Sequence, residues 1–519
     1  MFTTNFLLFQ KPTALIHKRI GVVVALSLFC FVVVGCGDIG EKTEKSKPVG
    51  PSHPKDLVYP EYVFDVPDAD SFMETLDNGV RLFIVEDREL PLVRVTATFR
   101  GGKYLDPEDK AGLTNIMATL IRDGGTSTMT AEKLDETFAF LAANVDVRGG
   151  GTTITANLDC LESNFKECFE LFFDMLQHPA FQESKVRVEK DNVIERMKQR
   201  NDYPSSILNR EFSSKMFGDS YLGKQPVVES VSSVNKNSLS EQFDKIVDPT
   251  NLVLSVSGDF DRNQMVEFMN ETVGQWGGES DIPNPPNITH NFKPGIYFVD
   301  KDVPQGGVKV GIRSVQQGDP DVEPLSVMNY ILGGGGFSSR ITQSIRSNEG
   351  LAYGAGSMFS AGPWGDGVWV AGFESKSSTV ALATKLLFDE IERIKTEPVT
   401  DDELALAKKS LVEQFPSNFQ SKAGTLGVFV RDTLTNRDPN YWKTYREKIK
   451  SVTAEDVMRV ANRVLIPKKM VVVIVGDWDA IVDGDDGGRA SMQDISSIVG
   501  GDIVELPMRD PLTLEVPNN

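Results

Sequence analysis

The chain has 519 residues, enough for more than one compact domain; 40% are hydrophobic and 25% charged, as in a folded globular protein rather than a fibrous or disordered one. Its 74 acidic side chains against 54 basic ones give a formal charge of −20. That balance excludes nucleic acid as a partner class, because a phosphate backbone needs a basic face, and it disfavours general adhesion to anionic lipid.

Residues 1–35 read as a signal peptide and are set aside from the fold. Lys11, His17, Lys18 and Arg19 form a basic front, followed by IGVVVALSLFCFVVVG (20–35), 16 uncharged residues. A membrane-spanning helix needs roughly 20. The run closes on VVGC, and apolar–apolar–small–Cys after such a core resembles the bacterial lipoprotein signal. The resemblance implies lipidation of Cys36 and a protein anchored to a membrane on the extracytoplasmic side, at the periplasmic face of a bacterial envelope. A plain signal anchor is the alternative. Residues 36–60, rich in Pro, Gly, Ser and Lys, read as a flexible tether.

Strand-like and helix-like patterns then alternate. VRVTATF (93–99) and GTTITANLD (151–159) show the two-residue period and β-branched content of half-buried strands, and the amphipathic AEKLDETFAFLAANV lies between them. Cys160 and Cys168 follow; on one helix they would stand about 12 Å apart, too far to bridge, and they read as small buried thiols. A helix-like LSEQFDKIVDPT precedes NLVLSVSGDFD (251–261). The Pro/Asn-rich DIPNPPNITHNFKPG (281–295) fits an exposed linker. Beyond it, GVKVGIRSV (307–315) and GVWVAGFES (367–375) are strand-like, and TVALATKLLFDEIERI is helix-like. Thr400 with Glu403 is a capping box opening DDELALAKKSLVEQF, and Thr453 with Asp456 is a weaker one. AEDVMRVANRVLIPK then leads into KMVVVIVGDWD (469–479).

That ending repeats the earlier one, about 218 residues on: an apolar run closing on Gly-Asp-aromatic-Asp after a helix and a Pro. The repeat sets an N-terminal domain over 61–282, a linker over 283–292, a C-terminal domain over 293–485 and an extended tail over 486–519. Long helices beside strands without βαβ regularity predict an α+β fold. Each domain would be a mostly antiparallel sheet covered by helices on one face.

Two local motifs join the duplication. AGLTNIMATLIRDGGT (111–126) has the Gly-Leu entry and Gly-Thr exit of the H-x-x-E-H helix, and the chain from about 70 to 480 resembles the insulinase/pitrilysin family of zinc metallopeptidases, the inverzincins. In that family the two His, four apart on one helical face, bind zinc; the Glu activates the zinc-bound water, and a downstream Glu is the third ligand. Here those positions fall on Asn115, Ala118 and Thr119, with Glu195 in the place of the third ligand. Neither imidazole nor the general base remains, and one carboxylate cannot hold a zinc that needs three or four protein ligands. The four histidines, His17, His53, His178 and His290, are too scattered to build another site. No cofactor is therefore expected in this chain.

The second motif is LGGGGFSSRITQSIRSNEGLAYGAGS (332–357). Gly333, Gly334, Gly335 and Gly336 form a loop whose backbone can approach a ligand closely, entering a helix that Ser338 or Ser339 could cap. Arg346 and Tyr353 resemble the family's Arg/Tyr pair in its metal-free half. The resemblance implies that the Tyr hydroxyl stabilises an oxyanion and that the Arg holds the substrate backbone. It further implies half of a clamshell, completed by a homologous zinc-bearing peptidase subunit and acting on peptides. The alternative is a catalytically inert peptide-binding or scaffolding pseudoenzyme of the cell envelope.

Overall fold

A computed structural model describes His53, residues 64–288 and residues 291–517. The signal segment, Cys36 and all of the tether except His53 lie outside the described residues. Val66–Asn519 form one compact unit.

That unit holds two six-stranded sheets. The first has strands β1 (Met73–Thr75), β2 (Arg81–Glu86), β3 (Leu92–Arg100), β4 (Asn144–Gly149), β5 (Thr153–Leu161) and β6 (Leu252–Gly258), in the order β1-β2-β6-β3-β5-β4. The second has β7 (Gly295–Asp300), β8 (Gln305–Arg313), β9 (Ala352–Ser360), β10 (Val368–Lys376), β11 (Val471–Gly476) and β12 (Ile503–Glu505), in the order β12-β7-β11-β8-β10-β9. The two Gly-Asp-aromatic-Asp segments follow β6 and β11, which hold the same place in each sheet. Each is parallel to one neighbour (β2, β7) and antiparallel to the other (β3, β8). The α+β reading and the duplication are both present in the structure.

The burial patterns explain why these segments are strands of different kinds. β5 alternates buried and half-buried residues along nearly its whole length, as a sheet with one covered face requires. β6 and β11 are buried at every position, so both of their faces are covered. The second cover comes from the opposite half of the chain. Helix Pro204–Phe217 packs Ile207, Leu208, Phe212 and Met216 against Tyr297, Val299, Val471, Val473 and Val475 of the second sheet. Gly311 on β8 makes room for it, because a Cβ there would lie 2.3 Å from the Phe212 ring. In return, helix Lys422–Leu434 packs on β2 and β6 of the first sheet, with the Phe429 ring 5.7 Å from Phe72 and 6.0 Å from Phe83. Burying one such ring contributes about 1.5–3 kcal/mol. The expectation of helices on one face is therefore corrected at the sheet centres, where each half lends a helix to the other.

The stretch 486–519 also departs from the extended tail expected. It contains helix Met492–Val499, begun by a Ser491/Asp494 capping box, and β12, which pairs in parallel with β7. Apolar residues at 492, 495 and 499 give that helix a face to bury, and Met492, Ile495 and Val499 are all in the second core. From Leu506 onward the chain has no helix or strand and crosses back over the first half, turning at residues 511–513, where the Leu514 amide donates to the Asp510 carbonyl at 2.9 Å. There Asn201 donates to the Arg509 carbonyl at 2.9 Å, and the Val228 amide to that of Leu512 at 2.8 Å.

Cys160 lies within β5, next to its last residue, and Cys168 lies in helix Phe165–Gln177, so they do not share a helix; both are buried and not disulfide-bonded. Both capping boxes form, with Thr400 and Thr453 accepting from the backbone amides of Glu403 and Asp456.

Candidate functional site

Helix Leu113–Asp123 keeps the scaffold of the metal motif. Gly112 precedes it at φ 101°, and no side chain of the motif caps it. Its entry is held by Asp106, whose carboxylate accepts from the Gly112 amide at 3.0 Å and from the Thr114 amide at 3.0 Å. Burial pushes the Asp106 carboxyl up, opposed by those hydrogen bonds. Asn115 is exposed, and Thr119, one turn later, spends its hydroxyl on the Asn115 carbonyl at 3.1 Å. Ala118 is 1% exposed and belongs to the first core.

Glu195 lies on helix Glu183–Lys198, which packs beside the motif helix, but its carboxylate is exposed and paired with Lys198 at 2.6 Å. An amide, a methyl, a hydroxyl and one ion-paired carboxylate do not fit zinc, which takes imidazole, thiolate or several carboxylates. Among the described residues no group of three or more His, Cys, Asp and Glu side chains could hold a metal ion. His178 pairs with Asp174 at 3.0 Å, one helical turn away.

The second motif is built differently. Helix Val322–Asn329 runs into a π turn at Tyr330–Gly334; a short 3-10 turn at Gly336–Ser338 follows, then helical residues Arg340–Thr342 and a second π turn at Gln343–Asn348. Single π turns inside helices are often found at functional sites. Gly333 packs against β9, where a Cβ would lie 2.5 Å from the Ser357 amide nitrogen, and side chains at 334 and 335 would strike Asn329 and Tyr330. Only Gly336 needs glycine for its backbone, at φ 60° with open space around it. Gly334 and Gly336 are exposed, Gly335 is half-buried and Gly333 is buried. Ser339 occupies the position before the helix, but its hydroxyl donates to the Gly336 carbonyl at 2.7 Å and meets the Thr342 hydroxyl at 2.9 Å. It ties the loop to the helix instead of capping a backbone amide, which corrects the expected role of these serines.

Arg346 and Tyr353 come together. The guanidinium carbon stands 4.9 Å from the centre of the Tyr353 ring, and the ring is 89% exposed. The bulk of the segment is fixed from below. Thr342 donates to the Ala355 carbonyl at 2.6 Å, the Leu351 amide to the Ile345 carbonyl at 2.9 Å, and Asn329 accepts from both Ser357 and the Trp369 indole. Among the described residues, no hydrogen bond or ion pair engages the Arg346 guanidinium or the Tyr353 hydroxyl. Nor does any hydrogen bond, ion pair or ring contact join them to Asn115, Thr119 or Glu195.

Two contributors went unassigned in the sequence. Phe337 lies in the glycine loop, 67% exposed, with the Arg346 guanidinium 4.5 Å from its ring centre. An apolar residue among glycines and serines was the available signal. Arg340 is nearly buried and makes a two-pronged ion pair with Glu403 at 2.7 and 2.8 Å. Arg340 and the Thr400 amide hold the Glu403 carboxyl down to about 2. Glu403 was legible only as a helix cap.

Comparison with known proteins finds two matching family models. The one described as Insulinase (Peptidase family M16) matches residues 82–227, the half with the altered metal motif. The one described as Peptidase M16 inactive domain matches residues 233–411, the half with Arg346 and Tyr353. An uncharacterised zinc protease of Streptomyces coelicolor is 26% identical over 411 residues, covering 75% of this chain and 86% of that protein. One of Bacillus subtilis is 24% identical, covering 65% and 81%. Among solved structures, a peptidase M16 inactive domain from Pseudomonas fluorescens superposes with a TM-score of 0.70 at 21% identity, covering 78% of this chain and 97% of its own. A protease from Helicobacter pylori gives 0.68 at 19%, covering 78% and 98%.

Proposed function

Because this chain belongs to the insulinase family of peptidases (M16), and its motif positions offer no zinc-ligand set, we propose that it is the non-zinc half of a two-chain peptidase. A homologous partner supplies zinc and the general base. This chain supplies Arg346, Tyr353 and the glycine loop to a peptide held between the two halves of a clamshell.

The observation that carries this reading is the geometry of the pair. A guanidinium and a phenol sit side by side on a rigid segment, with the polar end of neither engaged. A phenol in that state can donate one directed hydrogen bond to an oxyanion, and a guanidinium can donate several to peptide carbonyls. The exposed backbone at Gly334 and Gly336 offers further contacts to an extended peptide. Substrates are short or unfolded peptides, since an enclosed chamber excludes folded domains. Lipidation of Cys36 anchors the chain on the extracytoplasmic side of a bacterial membrane. Cys36→Ala then moves it to the soluble fraction, whereas a spanning anchor keeps it in the membrane pellet.

The test of the assembly is affinity purification of the full chain from detergent-solubilised membranes, with mass spectrometry of what accompanies it. A homologue carrying an intact H-x-x-E-H is expected in stoichiometric amount. Recovery of envelope proteins without such a homologue favours the scaffolding pseudoenzyme instead.

A further inference from the structure

The Phe337 ring has no burial to explain it. It is 67% exposed, it precedes the two serines that tie the loop down, and Gly336 at φ 60° turns the backbone just before it. The ring instead meets Arg346, whose guanidinium carbon lies 4.5 Å from the Phe337 ring centre and 4.9 Å from that of Tyr353. A guanidinium is a flat cation that stacks through its faces and hydrogen-bonds through its edge. Two aromatic neighbours thus restrain Arg346 without using any of its N–H donors. Among the described residues no acceptor competes for those donors either.

From this arrangement we infer that Phe337 is a positioning residue. It holds the Arg346 guanidinium beside Tyr353 with its donor edge free for a peptide carbonyl or carboxylate. An arginine already restrained loses less rotamer freedom on binding, so the effect falls on substrate affinity more than on turnover. The kinetic part of this inference rests on the proposed two-chain peptidase; the positional part does not.

Two measurements on the full chain separate them. The first is the 15N relaxation order parameter of the Arg346 side-chain Nε–H, assigned with Arg346→Lys. Phe337→Leu is expected to lower it and Phe337→Tyr to restore it, with melting temperatures unchanged. An order parameter unmoved by Phe337→Leu overturns the inference, whatever the protein does.

The second is steady-state cleavage of a fluorescein-labelled unstructured peptide by the copurified pair. Phe337→Leu is expected to raise KM about 2–5-fold, the range of one exposed cation–π contact, with kcat changing less. The same substitution is expected to add nothing once Arg346 is already Ala. An equal KM effect in both backgrounds overturns the kinetic part, because Phe337 would then act on the substrate without Arg346. If the order parameter falls while Tyr353→Phe leaves cleavage untouched, the positioning stands and the peptidase reading fails.

Discussion

Replacing Glu403 with Gln removes one charge from the Arg340–Glu403 pair while keeping the side chain's shape. Arg340 is 4% exposed at its side chain and Glu403 25%, so the guanidinium is left largely desolvated with a neutral partner. Breaking a buried pair from one side costs about 3–5 kcal/mol. The depressed carboxyl agrees in direction: Arg340 first, then Thr400, hold Glu403 at about 2 against an ordinary 4.5, so part of the pair's contribution depends on pH. Glu390 is also close enough for its charge to be felt by Arg340, which favours the lower end of the range.

The sign follows from a depressed carboxyl. The contribution is fully present above about 4.5 and is lost as pH falls through about 2. Urea unfolding of the full chain at pH 7 should show Glu403→Gln less stable by about 3 kcal/mol. The gap from wild type should then narrow steadily below pH 4.5. The double variant Arg340→Met, Glu403→Gln should be less damaged than the two single changes together, because no lone charge remains. A pH-independent gap, or a loss under about 1 kcal/mol, would refute the reasoning.

Phe429→Ala should cost about 3–5 kcal/mol, because the ring is a buried cover of the other half's sheet; chemical denaturation measures it, and a loss typical of a surface site would contradict the exchange of helices. Cys160 and Cys168 should resist alkylation in the native chain at pH 8 and react after unfolding, because burial pushes both thiols up; mass spectrometry before and after denaturation reads this, and rapid native labelling would contradict it.

The parts of the fold that were legible are those written in local pattern. The period-2 alternation of GTTITANLD and the continuous apolar run of KMVVVIVG distinguish a half-exposed strand from a central one, and β5 and β11 are buried accordingly. Thr400 and Thr453 start their helices because a hydroxyl followed three residues later by a carboxylate satisfies the orphan amides locally. What stayed hidden depends on distant partners. Ile207, Leu208, Phe212 and Met216 announce an apolar helical face but not which sheet it will cover, and Phe429 is equally silent about Phe83. Ile503–Glu505 is too short to read as a strand without the β7 edge that receives it.

In the site, Asn115, Ala118 and Thr119 were identifiable as an emptied motif because their spacing survived on an intact helix. Arg346 and Tyr353 stood out by their frame of glycines and Gly-Leu-Ala-Tyr. The glycines were legible as a loop, but not that three of them serve close packing on Asn329, Tyr330 and Ser357. Phe337 was not legible as their companion, since a ring's contact with a cation nine residues away depends on the turn at Gly336.

The central claim, that Tyr353 acts on a peptide alongside a partner's metal site, is tested most directly by turnover of the copurified pair with Tyr353→Phe. The change removes one hydroxyl from an exposed ring, so folding and assembly should be unaffected. Loss of one oxyanion donor should lower kcat by about 10²–10³-fold, with a smaller change in KM. Equal turnover by the partner with the wild-type chain, with Tyr353→Phe and with no added chain would contradict the account.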